Sequence, residues 1–385
     1  MSWDLDAEHR DFQAVCRRFV DRHVRPAVGE AEALGRVPQQ LWKELGAAGL
    51  LGLLTPEEYG GSGGDQLAVA LLAEELARAS GGIAVSPLVS AYMAAPHIAI
   101  YGSAKQRAAY LPGLAGGEMV AALAVTEPGS GSDVAAITTS AVRAGAGYRL
   151  NGRKMFITNA GVADVLIVAA KTAPDAGRRG ISTFLVEAPA PGLSLGAPLP
   201  KMGWHAADTR EVVLDDVAVP ATSMLGEPNR GFYQIMHAFQ LERVALAAMG
   251  LGHAAECLHL ATEHARVREA FGAPLSALQS VRHRLAAMAV ELESARLMTY
   301  RAAQRLGVGH PQAPRSVAMA KYHTALAAGH IVDSAVQIFG GSGYIEESAV
   351  ARHYRDVRVL RIGGGADEIQ LEILTRELAM TEAAQ

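Results

Sequence analysis

A glutamate on an apolar helix face is the residue in this chain best suited to chemistry. Around "HAFQLERVALAAMG" (237–250), Ile235, Phe239, Leu246 and Met249 recur at helical spacing, and the position between them, 242, holds Glu. The neighbours on that face, Ala238, Phe239, Ala245 and Leu246, supply no cation three or four residues away. A carboxylate there is costly unless it is neutral, paired or turned to a polar cavity. The same surroundings raise its pKa towards the range of a general base. The chemistry on offer is proton abstraction. The segment alone leaves a second reading open, a structural Glu242 paired with an arginine of the helix over 276–306.

Four other stretches carry usable groups. "LRIGGGADEIQ" (360–370) sets three glycines before a helical pattern, and nothing between Leu360 and Ala366 can act as a base. "TEPGSGSD" is rich in small residues that let backbone N–H groups approach an acceptor closely; it also reads as a plain connection between domains. In "KMFITN", Phe156 and Thr158 alternate with Ile157, so a strand would put an aromatic ring and a hydroxyl on one face. "REAFGAPLSALQ" frames Arg268, Phe271 and Gln279 around a helix end, a turn and a helix start. The arginine is a forked, permanent donor suited to a pyrophosphate, or an ordinary surface cation.

Three segments of different texture must position these residues. From Asp6 to roughly residue 120 the pattern is helical, with Phe12, Val15, Phe19 and Val24 at near-helical spacing before Pro26. "PQQLWKELGAAGLLGL" and "QLAVALLAEELARASGG" read as amphipathic helices, the second closed by a glycine pair that suits a C-terminal cap. From about 121 to 222, β-rich runs are bounded by Pro, Gly and Asp. There "YRLNGRKMFITN" reads as two extended runs around Asn151-Gly152, a dipeptide suited to a tight hairpin. The remainder is helical over 231–265, 276–306, 313–340 and 367–380. The expectation is an α+β protein with an all-α domain over 1–120, a central β domain over 121–222 and an α-helical bundle domain over 223–385.

Composition limits the function classes. Of 385 residues 50% are apolar and 19% charged, enough for a large core and unlike a disordered chain. A net charge of -4 offers no basic field for nucleic acid. Cys16 and Cys257 are the two cysteines, far apart in sequence, so neither a disulfide framework nor a Cys-based metal site is expected and a reducing cytoplasm fits. The polar opening "MSWDLDAEHRDF" is unlike a secretory signal, and apolar runs are broken short of a membrane span. A soluble, cytoplasmic protein is expected.

"AVTEPGSGSDVAA" (124–136), "YRLNGRKMFITN" (148–159), "RVREAFGAPLSALQ" (266–279) and "QIFGGSGYIEESAVARHYRD" (337–356) resemble, in order and spacing, the successive signatures of the acyl-CoA dehydrogenase family. The likeness covers essentially the whole chain. It implies a helical domain, a β-barrel-like domain and a four-helix bundle, bound FAD, and a homotetramer built as a pair of dimers. It further implies α,β-dehydrogenation of an acyl thioester, with electrons passed to an electron-transfer flavoprotein. By resemblance, Thr126 and Phe156 lie against the flavin ring and Thr158 bonds a ring nitrogen. Ser132 lies near cofactor phosphate or the thioester carrier, and Arg243 at the acyl-carrier site. Arg268, Phe271 and Gln279 reach the FAD of a neighbouring subunit, together with Gln337 and the backbone at Gly340 and Gly341; Glu368 keeps its usual place.

In many members a catalytic glutamate stands at the position of Gly364. The isovaleryl and long-chain branch instead combines a glycine there with a glutamate at the position matching Glu242, which makes Glu242 the implied base. The Gly364 backbone N–H is then the implied donor to the thioester oxygen. Ala366 and Asp367 depart from a common threonine and a common serine or asparagine. Three variants of the activity stay open: an acyl carrier protein substrate docked on a basic surface (Arg352, Arg355, Arg358 and Arg361, or Arg178-Arg179), an O2-using oxidase, and a non-catalytic acyl-binding homologue.

Overall fold

The computed structural model describes residues 5–382; the first four residues of the polar opening stretch and the last three of the chain lie outside the described residues. Seven helices come first: α1 (Ala7–Phe19), α2 (Arg25–Leu34), α3 (Gln39–Ala47), α4 (Gln66–Ala79), α5 (Gly81–Val89), α6 (Ala95–Tyr101) and α7 (Ala104–Gly116). Pro26 does not end the first helical run. A π-helical turn over Val20–Val24 precedes it and the chain continues as α2, because proline at the first turn has no N–H to leave unpaired. The glycine pair Gly81-Gly82 opens α5 rather than capping α4. Ser80 is extended and its hydroxyl accepts the Ile83 N–H, as an N-cap does. The glycines are a packing requirement: a Cβ on Gly81 would lie 2.6 Å from Trp204 Nε1, and one on Gly82 2.9 Å from the Ala206 nitrogen.

Seven strands follow: β1 (Ala121–Ala124), β2 (Ser140–Ala144), β3 (Gly147–Thr158), β4 (Val165–Lys171), β5 (Ile181–Glu187), β6 (Leu193–Leu195) and β7 (Thr209–Pro220). They form one sheet of order β1-β4-β2-β3-β7-β6, with β5 on the other edge of β4. Asn151-Gly152 does not turn a hairpin. It lies inside β3 at a register shift against β7, and Asn151 Oδ1 accepts the Asp216 N–H. The β2–β3 turn is Gly145-Ala146, a two-residue loop with glycine first at a φ of 56°. Gly152 packs instead against Thr139, where a Cβ would sit 2.3 Å from the hydroxyl.

β4 is buried along nearly its whole length because its two faces enter different cores. Leu166, Val168 and Ala170 face the sheet's own interior, whereas Val165 and Ile167 pack on Ile98, Leu111 and Leu114 of α6 and α7. This is why the run reads as continuously apolar.

The last part holds α8 (Gly231–Val267), the short ribbon β8 (Glu269–Ala270) and β9 (Ala273–Pro274), then α9 (Gln279–Gly307), α10 (Ala313–Phe339), α11 (Gly341–Tyr344), α12 (Ala349–Val357) and α13 (Asp367–Glu382). Helices α8, α9 and α10 pack mutually, α13 docks on α10, and α4 lies against α8 and α9. Two segments, Gly81–Tyr101 and Gly231–Val267, are long and apolar enough for a membrane span by length and composition, yet both are mostly buried inside the protein.

Candidate active site

α8 is the element that positions the carboxylate. Ile235, Leu246 and Met249 are buried along it, and Phe239 is half-buried in a small core with Val125 and Ile235. That core joins the first turns of α8 to the β1 end of the sheet. Glu242 follows Phe239 by three residues. Its Oε2 is closed to solvent and has no hydrogen-bond partner. Burial raises the carboxyl to a pKa of about 7, with Arg243 and Lys321 pulling the other way. No ion pair to Glu242 within 4 Å exists among the described residues, and Arg296 of α9 is spent on Glu74 at 2.9 Å. The structural pairing left open above is therefore not what holds this side chain.

The glycine turn comes to the same place. Gly364 has a φ of 64° and Gly365 of 92°, left-handed conformations that disfavour side chains. A Cβ built on Gly364 would stand 3.7 Å from the carboxyl carbon of Glu242 and 2.7 Å from Leu246 Cδ1. The carboxyl group of Glu242 thus lies within van der Waals reach of the position a Cβ at 364 would take, and Leu246 is what such a Cβ would strike. Among the described residues no backbone acceptor pairs with the Gly364 N–H. Arg243, with 6% of its surface exposed, turns inward and donates from Nε to the Gly364 carbonyl at 3.0 Å.

Two partners in this turn escaped the sequence reading. Lys321 of α10 is buried and donates to the Gly365 carbonyl at 2.8 Å, and Gln370 of α13 donates to the same carbonyl at 2.8 Å. The signal for Lys321 was present in "AMAKYHTALAA", a lone cation in an alanine-rich helix.

On the sheet, the Thr126 carbonyl accepts the Met155 N–H at 2.8 Å, which ties the "TEPG" segment to the strand carrying Phe156 and Thr158. Simple alternation breaks down there. The register shifts between Lys154 and Ile157, and Phe156 takes a φ of 60°. The result still buries Ile157, leaves Thr158 half-buried and exposes 65% of Phe156. Ser132 is exposed in the loop beyond.

A buried ion pair anchors this region and was also missed. Lys154 Nζ lies 2.8 Å from Glu127 Oε1 and donates to the Val125 carbonyl, while Glu127 also accepts the N–H groups of Thr138 and Thr139. Burial alone would raise Glu127, but the ammonium and these donors hold it well below the usual carboxylate range.

Arg268, Phe271 and Gln279 are all exposed, Phe271 by 96% at a φ of 54° on the tip of the β8–β9 ribbon. Gln337, Gly340 and Gly341 are exposed at the end of α10. His264 stacks on Phe339 at 4.2 Å between ring centroids, so the two groups share one end of the bundle. That end is far from Glu242: the 26 residues from 242 to 268 span roughly 39 Å along α8. Glu368 is exposed in the first turn of α13, beside a buried Asp367 bound to Arg361 at 2.6 Å. The arginines 352, 355 and 361 serve separate local partners: Glu32 and the Ala79 carbonyl, Glu346, and Asp367.

A cleft of about 580 Å³ opens between the π-helical turn over Ser90–Ala94 with α6, the 53–66 loop, the start of α8 and the end of α9. Its α8 wall includes Ala238, one helical turn before Glu242.

Can these residues hold a flavin? Phe156 and Thr158 present an aromatic ring and a hydroxyl beside the Thr126 backbone, and Gly340 and Gly341 have open space where a side chain would stand. The donor set at the far end, Arg268 and Gln279 with exposed glycine backbone, suits phosphate oxygens. The residues fit the group, in two patches at opposite ends of α8.

Comparisons with known proteins agree on one family. Residues 6–118, 122–217 and 229–379 match the models of the acyl-CoA dehydrogenase N-terminal, middle and C-terminal domains. A 3-(aryl)acrylate reductase of Clostridium sporogenes is 37% identical, over 96% of this chain and 98% of its own. The structure of butyryl-CoA dehydrogenase from Megasphaera elsdenii superposes with a TM-score of 0.94 at 37% identity, covering 98% of this chain and 100% of that one. An FAD complex of PigA superposes equally well, TM-score 0.94, at 32% identity over 99% of this chain and 100% of that one.

Proposed function

The chain belongs to the acyl-CoA dehydrogenase family, and from that premise we propose which residues carry out its reaction. The protein is an FAD-dependent oxidoreductase acting on the CH–CH bond of an acyl-CoA. Glu242 is the base that takes the α proton. The Gly364 N–H donates to the thioester oxygen as negative charge grows there, a contribution that costs about 10²- to 10³-fold in rate when such a donor is lost. FAD, when bound, supplies the acceptor for the β hydride. Arg243 holds the turn that carries Gly364. Thr126, Phe156 and Thr158 orient the flavin ring, and Ser132 stands near the phosphates or the acyl carrier.

One observation supports the reading most: an unpartnered carboxyl group, with a pKa of about 7, lies 3.7 Å from the position of a Cβ on Gly364. A base poised near neutrality is what proton abstraction at physiological pH needs.

Arg268, Phe271, Gln279, Gln337, Gly340 and Gly341, with Glu368, complete the cofactor site of a neighbouring subunit in a homotetramer. The separation of roughly 39 Å along α8 supports this, since one chain does not bring both patches to one reacting centre. Electron-transfer flavoprotein is the acceptor. The division at residues 120 and 222 and a cytoplasmic location belong to the same reading; buried, unbridged Cys16 and Cys257 support the location.

Anaerobic mixing with a panel of acyl-CoA thioesters tests the whole. Flavin bleaching is expected, with no peroxide when air is admitted. Glu242→Gln should retain FAD and thioester binding while flavin reduction falls at least ~10³-fold. Near-normal reduction would remove Glu242 from the mechanism, and peroxide formation would mark an oxidase.

A further inference from the structure

We propose that Lys321 of α10 is a positioning residue for the reaction: its ammonium clamps the Gly364–Gly365 turn and, with Arg243, adds positive charge on the Glu242 side of it. The inference rests on the reading of Glu242 as the base. The clamp is three-sided. The Gly364 carbonyl accepts Arg243 Nε at 3.0 Å and Gln370 Nε2 at 3.4 Å, and the Gly365 carbonyl accepts Lys321 Nζ and Gln370 Nε2, each at 2.8 Å. These donors come from α8, α10 and α13, so three helices meet on two peptide planes.

Each peptide is planar and trans, so holding the Gly364 and Gly365 carbonyls fixes the N–H groups of Gly365 and Ala366, and with them the path of the chain that leaves Gly364. Two consecutive glycines in left-handed conformations have no side chains to hold such a turn. Its orientation depends on the three donors. The Gly364 N–H belongs to the same turn and takes its direction from it.

Lys321 is also free to act at a distance. Among the described residues no carboxylate lies within 4 Å of Nζ, and the nearby Asp367 is already bound by Arg361 at 2.6 Å. The charged groups facing it are Glu242 and Arg243 from α8, Asp367 from α13 and Arg361 from the turn before it. Burial lowers Lys321 to a pKa of about 8, with Asp367 and Glu242 opposing, whereas burial raises Glu242 to about 7. An ionised base beside a protonated clamp therefore exists mainly between those two values. The reaction should have an acid limb from Glu242 and an alkaline limb from Lys321.

The test is the pH profile of flavin reduction by an acyl-CoA in single turnovers of Lys321→Met and Lys321→Arg holoenzymes. With the cation gone, Lys321→Met should move the acid limb upward by about one unit and lower the optimal rate by roughly tenfold. Lys321→Arg keeps a cation and a donor, so its acid limb should stay in place while the alkaline limb disappears, because arginine does not titrate there. An unmoved acid limb in the first variant, or a retained alkaline limb in the second, overturns the proposal. Should Lys321→Met not fold, the arginine variant carries the test alone. Infrared titration of the Glu242 carboxyl, with Glu242→Gln as the blank, reads the same shift without turnover. If no acyl-CoA reduces the wild-type flavin while this shift appears, the functional reading fails, and what stands is the effect of the Lys321 charge on the Glu242 carboxyl and not a role in the reaction.

Discussion

Glu242 is a carboxyl group whose usefulness and cost have one origin. Burial that lifts its pKa from 4.5 to about 7 also makes its charged form expensive in the folded protein. Because the folded value lies above the unfolded one, the group favours folding most below about pH 4.5, and that advantage is lost as pH rises to about 7. Glu242→Gln has no such titration. Its stability relative to wild type should therefore grow between pH 4.5 and 7 and level off above, by about 2–3 kcal/mol. Urea midpoints at pH 5 and pH 8 measure it; an unchanged difference between the two would show that Glu242 titrates normally. Gly364 is the complement of this residue. At a φ of 64° it leaves room for the carboxyl group, and a side chain there would also press on Leu246.

Among the elements, β3 is paired with β2 and β7, and a polar anchor joins the "TEPG" segment to it. The register of β3 breaks at Lys154, the residue whose ammonium is buried against Glu127 and the Val125 carbonyl. Removing one member of a buried pair leaves the other charge unpaired, at a cost of about 3–5 kcal/mol. Lys154→Met should show that loss in urea unfolding and should release FAD more readily, since Thr126 and Phe156 hang from the same anchor. A loss under ~1 kcal/mol would mean that Glu127 is held adequately by the Thr138 and Thr139 N–H groups alone. α8 shows the opposite economy: one helix carries the seam residue Phe239, the carboxylate and the buried arginine within five positions.

For the whole molecule, the proposed intersubunit site requires patches at opposite ends of α8, from two chains, to serve one cofactor. The tip of the β8–β9 ribbon leaves Phe271 96% exposed and the adjoining Val267 77%, and Tyr344 after α10 is 87% exposed. In the proposed homotetramer, these large exposed apolar side chains at one end of the bundle would lie on the surface that another chain covers. Phe271→Asp should shift the protein to smaller species in sedimentation and weaken FAD retention on gel filtration together. A smaller species that keeps FAD fully would show that the cofactor site is complete within one chain.

The sequence by itself determined the order of helices, sheet and helices, because apolar periodicity switches from helical to extended and back within the chain. It also identified the carboxylate on the apolar face of α8 and the base-free glycine run, since both are statements about residue type and local spacing. The tertiary structure decided the rest. That the carboxyl of Glu242 lies beside Gly364 is a contact between positions 122 residues apart in sequence. Local reading also misjudged Asn151-Gly152 and Gly81-Gly82, whose glycines answer to Thr139 and Trp204 rather than to a turn or a cap. The sequence assigns no role to Lys154 or Lys321 for the same reason: only the folded chain brings the partners that make a buried ammonium tolerable.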